Sequence, residues 1–429
     1  MERQRMADLV RWKDKANRKP LIIRGARQTG KTWLMKSFGA AHFEKTAYIS
    51  FFQNTRMQNL FAQGGSIHQI ILSLGIESGV EITPGNTLII LDEIQESPHA
   101  LESLKRFAEE APEYPLVAAG SLLGVSLHGN VSFPVGKVDM MDLYPMNFRE
   151  FLGAVGENVL LQTLNSREIE IINTFHDQYI FWLKNYLYVG GMPEVVQYFT
   201  EHKDFQVVRE LQSNLLKQFR GDFGKHITAS QLPRTQMVWE SIPVQLAKEN
   251  KKFFFGHIKK GARSAEFEES IQWLLECGLI YKVHRVNEPH VPLSFYKDFS
   301  AYKLFLLDVG LLSAMSDLDA GSLLDGNALF VEFKGALTEQ LVLQQLISDT
   351  PYIPYYFGTN KATFEMDFMI QKEKNIIPIE VKASTNLRSQ SLKAFCDKYH
   401  PPMSVKFSAL PWKSQEYIEN MPLYTVCLL

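Results

Sequence analysis

The chain has 429 residues, too many for one compact core, so two or three domains are expected. Hydrophobic residues make up 45% and charged residues 21%, an ordinary globular composition that excludes a disordered chain. The formal net charge of −2 excludes a global basic field for nucleic acid, though not a local basic patch. Cys277, Cys396 and Cys427 are odd in number and far apart. They give neither a metal-ligand spacing nor a disulfide framework, which fits a reducing compartment. The segment Met1 to Arg11 is charged and polar, unlike a signal peptide. No apolar run reaches the roughly 18 residues of a membrane span. A cytoplasmic protein without a membrane partner is therefore expected.

In chain order, Leu21 to Arg24 reads as a short strand between Pro20 and Gly25, and Thr32 to Phe38 as the helix after it. Ala47 to Phe52, Thr87 to Leu91 and Pro115 to Ala119 read as further strands, with helices at Ser66 to Leu74 and Leu101 to Glu110. Continuous apolar strands alternating with helices predict a parallel sheet buried on both faces. Beyond Phe151 the pattern turns helical. Ile169 to Val189 reads as one long helix stopped by Gly190-Gly191 and Pro193, and Phe205 to Phe219 as another. A helix from Ser264 to Cys277, a Gly278 stop and a strand from Leu279 to Val286 suggest a winged-helix-like module. Lys259, Lys260, Arg263, Lys282 and Arg285 would be its phosphate contacts. The end of the chain starts another α/β unit. A helix spans Gly335 to Ser348, strands span Tyr352 to Phe357, Phe364 to Ile370 and Ile376 to Val381, and a helix spans Ser389 to Tyr399. Short strands at Ser404 to Phe407 and Leu423 to Leu428 close it. The expected domains are 1–155, a parallel-sheet α/β domain; 156–232, a helical linker or lid; 233–300, the winged-helix-like module; and 301–429, the C-terminal α/β domain.

Gly25-Ala26-Arg27-Gln28-Thr29-Gly30-Lys31-Thr32 matches G-x-x-x-x-G-K-[ST] without a gap, between a strand and a helix. Glycines let the backbone wrap phosphates, and the amides with the helix N-terminus supply positive potential. Lys31 would reach the β- and γ-phosphates of ATP, and Thr32 would ligate Mg2+. Thr87-Leu-Ile-Ile-Leu91 then ends in Asp92 and Glu93, at the sheet edge where α/β proteins bind ligands. Asp92 would hold Mg2+ through water, and Glu93 would polarise the attacking water. Ser121, after the next strand, either holds the water or γ-phosphate or caps the following helix. The catalytic set is thus Glu93, Lys31 and Ser121.

On these motifs the chain resembles AAA+-type prokaryotic P-loop ATPases that carry a C-terminal restriction-endonuclease-like domain of unknown function. The likeness rests on the loop with Arg27, on Leu91-Asp-Glu-Ile-Gln95, on Leu143 to Phe151 (Leu-x-Pro-x-x-Phe-Arg-Glu-Phe) and on Gly190-Gly-x-Pro-Glu194. It extends over nearly the whole chain. The resemblance implies an ATP hydrolase coupled to a nuclease-like fold that acts on DNA, or a switch whose nuclease-like fold only binds partners, a protein or a second copy of the chain. Where such proteins carry Gly-Arg, this chain has Gly136-Lys137; Lys137 is the poorer charge-neutralising finger because it lacks the bidentate fork. Arg149 is the other candidate, with a salt bridge as its alternative.

The C-terminal strands carry acids in a matching order. Glu380 and Lys382 share one strand face, Asp367 stands on the neighbouring hairpin strand, and Glu339 lies in the preceding helix. This is the layout of a PD-(D/E)XK site, with Glu339, Asp367 and Glu380 on a divalent metal and Lys382 beside the water. The alternative is a salt-bridged pair of strands. Lys361, Lys372, Lys374, Lys382, Arg388 and Lys393 make this end locally basic.

Overall fold

The computed structural model describes all residues except 122–132, 249–250, 322–330, 359–364, 384–388 and 416, so Lys361 and Arg388 lie outside the described residues. It divides into two compact units. One spans Glu2–Tyr144 with Glu276–Leu279; the other spans Met1, Pro145–Leu275 and Ile280–Leu429. The N-terminal unit therefore ends at Tyr144, short of the expected 155.

The N-terminal unit is built on five parallel strands: β1 (Leu21–Arg24), β2 (Lys45–Ser50), β3 (Thr87–Asp92), β4 (Leu116–Gly120) and β5 (Asp139–Asp142). Their order is β2-β3-β4-β1-β5. Alternate residues enter opposite cores: Ile22, Ile89 and Leu91 pack with Phe61, Leu74 and Phe107 on one side. Leu21, Ile23, Leu88 and Ile90 pack with Leu9, Leu34 and Phe38 on the other. This two-faced burial is what the continuous apolar runs predict. β5 was not legible, because Asp139-Met-Met-Asp142 is a partly exposed edge strand with an acid at each end.

The larger unit holds an eight-stranded mixed sheet. Its strands are β6 (Ile280–Val286), β7 (Lys297–Leu306), β8 (Tyr355–Phe357), β9 (Met366–Lys372), β10 (Asn375–Val381), β11 (Ser404–Ser408), β12 (Lys413–Gln415) and β13 (Ile418–Pro422). The order is β12-β13-β11-β10-β9-β8-β6-β7. The β6–β7 hairpin is the expected wing, but it is not confined to a separate module. β6 pairs in parallel with β8, which joins the hairpin to the C-terminal sheet, and β7 runs through the expected boundary at 300. The helix before it is shorter than expected, Glu268–Glu276 after a 3-10 turn at Ser264–Glu266. Ile169–Val189 is two helices, Ile169–Thr174 and His176–Val189, and Leu423–Leu428 is a 3-10 turn rather than a strand. No helix among the described residues is long and apolar enough to cross a membrane.

A buried polar network explains two of the sequence motifs. Gly190 and Gly191 admit no side chain: a Cβ would fall 2.1 Å from Asp308 Oδ2 and 2.0 Å from the Met146 carbonyl oxygen, respectively. Gly191 N–H donates to Asp308 Oδ1 at 2.6 Å, and Met146 N–H donates to the Gly191 carbonyl at 2.6 Å. Tyr186 hydroxyl donates to the Met146 carbonyl at 2.6 Å, and Gln344 Nε2 donates to Asp308 Oδ1 at 3.1 Å. Asn147 and Glu150 form a reciprocal capping box on the Phe148–Ala154 helix. The glycine pair and the Pro145–Phe151 stretch are thus fixed by packing, since every buried polar group there needs a partner.

Candidate nucleotide site and C-terminal acid cluster

The loop from Gly25 to Thr32 leaves β1 and enters the Lys31–His42 helix. Its backbone turns through positive φ at Gly25 (151°), Gln28 (68°) and Gly30 (88°). Gly25 is obligatory, because a Cβ would fall 2.2 Å from the Leu143 carbonyl oxygen. The loop is braced from outside by Arg3, which donates to the Thr29 carbonyl at 2.7 Å, and from inside by Thr29 hydroxyl on the Ala26 carbonyl at 2.9 Å.

Inside the loop, Lys31 Nζ donates to the carbonyls of Gly25 (2.9 Å) and Ala26 (2.7 Å). Burial pushes its pKa down to about 8, against the opposing charges of Glu93 and Asp92 and with help from Arg27. A buried ammonium whose hydrogen bonds go to carbonyls gains when an anion arrives. Thr32 hydroxyl donates to Asp92 Oδ2 at 2.7 Å, and Tyr48 hydroxyl donates to the same oxygen at 3.0 Å. Asp92 Oδ1 accepts from Glu93 N–H at 3.0 Å. Tyr48 is raised to about 12 by burial and by the Asp92 charge, so it stays a donor.

Glu93 turns out of β3 at φ 52°. Its Oε2 accepts from Gln95 Nε2 at 2.5 Å and from Ser121 hydroxyl at 3.3 Å. Ser121 in turn accepts from Arg27 Nε at 3.3 Å. The expected residues Arg27, Lys31, Thr32, Asp92, Glu93 and Ser121 thus share one contact network, with Ala26 and Gly25 as carbonyl acceptors. Tyr48 and Gln95 were not singled out from sequence; a hydroxyl on the strand beside β3, and an amide two residues past the acid, were the available signals.

The finger candidates both have partners within their own unit. Lys137 Nζ lies 2.8 Å from Glu109 Oε1 on the surface. Arg149 reaches the fully buried Asp349 through Nε (3.0 Å) and NH2 (2.5 Å). The salt-bridge alternative for Arg149 is what the structure contains.

In the C-terminal sheet, Glu339 and Asp367 come together. Glu339 is ion-paired to Lys251 and lies 3.6 Å from Lys303 Nζ. Burial pushes Glu339 up, but Lys251, Lys303 and a hydrogen bond with Asp367 outweigh it and hold it below the usual carboxylate range. Asp367 accepts from Val381 N–H at 2.8 Å. Burial, and then the Glu339 charge, push Asp367 up to about 7. Glu380 pairs instead with Lys382 at 2.8 Å. Among the described residues no three His, Cys, Asp or Glu side chains are gathered as a metal-holding group, while Oε2 of Glu339 and of Glu380 are buried without a hydrogen-bond partner. Lys303 and Lys251 were missed. The signal for Lys303 was a lone lysine inside the apolar run Ala301-Tyr-Lys-Leu-Phe-Leu306.

Of the expected phosphate contacts, Lys259, Lys260 and Arg263 are exposed. Arg285 is instead ion-paired to Asp298 at 2.7 Å, and Lys282 lies half-buried over the Tyr302 ring.

Residues 17–152 match the family model of an AAA domain. Residues 180–322 and 334–425 match two domains of unknown function, DUF8612 and DUF4143. No curated protein matches the chain. Among solved structures it is similar to a Walker-type ATPase of Pyrococcus abyssi, at 13% identity and TM-score 0.46, over 73% of this chain and 95% of that one. It is also similar to the Thermotoga maritima RuvB Holliday junction branch migration motor, at 12% identity and TM-score 0.30, over 68% and 91%. A third is the Aeropyrum pernix Orc1 protein in complex with DNA, at 14% identity and TM-score 0.29, over 74% and 93%. The loop geometry and the family match agree: residues 17–152 are similar to an AAA domain and carry a P-loop.

Proposed function

We propose that the chain binds ATP with Mg2+ in the Gly25–Thr32 loop and hydrolyses it. The observation that carries this reading is the Thr32–Asp92 contact of 2.7 Å beside a Glu93 carboxylate held by Gln95 and Ser121. A hydroxyl and a carboxylate side by side are the all-oxygen donor set that Mg2+ takes. Bound there, Mg2+ would neutralise charge on the β- and γ-phosphates. The chain's own residues do the rest. Lys31 leaves its carbonyls for the phosphates. Glu93 accepts a proton from the attacking water, and Ser121 and Gln95 fix the direction of its carboxylate. The test is Glu93→Gln, which keeps the shape and removes the base. ATP affinity should stay within about threefold while turnover falls at least about 100-fold; turnover at the wild-type rate removes Glu93 from the mechanism.

For the larger unit, the reading we favour is a partner-binding element that ATP hydrolysis moves or releases, a protein, a second copy or DNA being the partner classes, rather than a nuclease. Its acids are already paired with lysines of the same unit. Metal-dependent nicking of plasmid DNA that disappears in Asp367→Ala would reverse that choice.

A further inference from the structure

We infer that the acid cluster of the C-terminal sheet is a closed ion-pair lock, in which Lys251 and Lys303 stand where a divalent cation would otherwise be needed. This deepens the partner-binding reading of the larger unit and is independent of the ATPase reading, which Glu93→Gln tests separately.

The cluster draws its members from five places: Lys251 after the Leu232–Leu246 helix, Lys303 on β7, Glu339 in the Val331–Asp349 helix, Asp367 on β9, and Glu380 with Lys382 beyond it on β10. Glu339 is 4% exposed and Lys303 is 2% exposed, so neither charge is carried by solvent. Buried charges survive only when paired. Three lysines meet three glutamates here, although Oε2 of Glu339 and Oε2 of Glu380 are buried without a hydrogen-bond partner. Lys251 binds Glu339; Lys303 lies 3.6 Å from both Glu339 and Glu365; Lys382 binds Glu380. Each ionised glutamate thus has a lysine. The remaining acid, Asp367, stands on β9 next to β10. Asp367 also accepts the Val381 N–H.

A divalent ion binds carboxylates whose charge is left uncompensated, several on one point. In this cluster ammonium groups already offset the negative charge, Lys251 and Lys303 at Glu339 and Lys382 at Glu380. To enter, an ion would have to expel Lys251 from a buried carboxylate and strand Lys303 beside two like charges. The order of acids that suggests a metal site has been kept, and the lysines supply the neutralisation from within. The consequence for the unit is that β7, the Lys251 segment and the Val331–Asp349 helix are tied together by charge, without any cation from solution, while β9 is held to the end of β10 by the Val381–Asp367 hydrogen bond.

The experiment is thermal melting of the full nucleotide-free chain followed by tryptophan fluorescence, since Trp182, Trp239, Trp273 and Trp412 all lie in this unit. Millimolar Mn2+ should leave the wild-type midpoint of the larger unit unchanged within about 1 °C, because the cluster takes no ion. Lys251→Met should lower the midpoint by roughly 5–10 °C, because it leaves Glu339 with a single, more distant lysine. A Mn2+-dependent rise in the wild type that Asp367→Asn abolishes overturns the lock. A rise that Asp367→Asn retains arises outside the cluster and leaves it closed, as inferred. A Lys251→Met chain that melts like wild type also overturns it. Should Lys251→Met not fold, the comparison of wild type with Asp367→Asn decides alone.

Discussion

Two clusters of acids and lysines at strand ends behave in opposite ways. At the nucleotide loop, Lys31 is held by the Gly25 and Ala26 carbonyls, and Asp92 by the hydroxyls of Thr32 and Tyr48. Neutral dipoles make the hydrogen bonds there, and the charges of Glu93 and Asp92 act on Lys31 only through space, so a phosphate or a cation still gains by arriving. In the C-terminal sheet the acids are met by ammonium groups of the same unit. There the charges cancel one another, and an incoming ion gains little. Residue types and their order are alike in kind at both places. What separates a ligand site from a structural one is whether the partners of each charge are dipoles or counter-charges.

The sharpest way to break this contrast is to remove the charge at each site and read both units. Lys31→Ala should reduce ATP affinity at least about 100-fold, because it removes a charge-assisted contact to the phosphates that no neighbour replaces. The melting of the larger unit should be untouched, since Lys31 belongs to the other one. Nucleotide titration and tryptophan melting on the same preparation check both halves. An affinity within about threefold of wild type would mean that the loop's amides alone carry binding.

The same contrast explains what the sequence could tell. The nucleotide loop was legible because its chemistry is local: Gly25 to Thr32 are consecutive, and Asp92-Glu93 end an apolar strand. β1, β3 and β4 follow from the same apolar runs. The Glu339, Asp367 and Glu380 positions were legible as a pattern, but their partners were not. Lys251 lies 88 residues from Glu339 in the chain, and nothing in the spacing says that the two meet. The wing was read as a separate module because the β6–β8 pairing joins strands that local periodicity cannot connect. Likewise Gly190-Gly191 reads as a helix stop, while its deeper constraint is the approach of Asp308 from 117 residues away.

Asp308 extends the contrast to an acid held by neutral donors yet shut away from solvent. It is fully buried, accepts from Gly191 N–H, Leu311 N–H and Gln344, and burial pushes its pKa up to about 6 despite those bonds. The unfolded value is near 3.8, so between the two values the folded chain binds more protons. The contribution of Asp308 to stability therefore falls as pH rises from about 4 to 6 and is lowest above that window. At about 1.4 kcal/mol per unit, the span is on the order of 2–3 kcal/mol. Chemical denaturation across pH 4 to 7 should show this slope in wild type and lose it in Asp308→Asn, with ATP affinity at neutral pH unchanged in the variant. A wild-type slope that Asp308→Asn keeps would place the titrating group elsewhere.

The smallest expected effect is at Lys137. Its ammonium pairs with Glu109 on the surface of the N-terminal unit, and both side chains are about two-fifths exposed (42% and 41%). Hydrogen bonding to Lys137 holds Glu109 below the usual carboxylate range, yet water competes for both groups and salt screens them. A lysine so placed lacks the planar fork that would grip a γ-phosphate in two places. Lys137→Ala should therefore change neither the melting midpoint nor ATP turnover, and the specific activity of wild type should not rise with protein concentration through this side chain. The discriminating measurement is turnover against chain concentration for both proteins. A wild-type activity that climbs with concentration, and a Lys137→Ala activity that does not, would show a neighbouring copy supplying charge across an interface. Lys137 would then belong with the uncompensated charges of the nucleotide loop, and its bond to Glu109 would be the resting state of a finger.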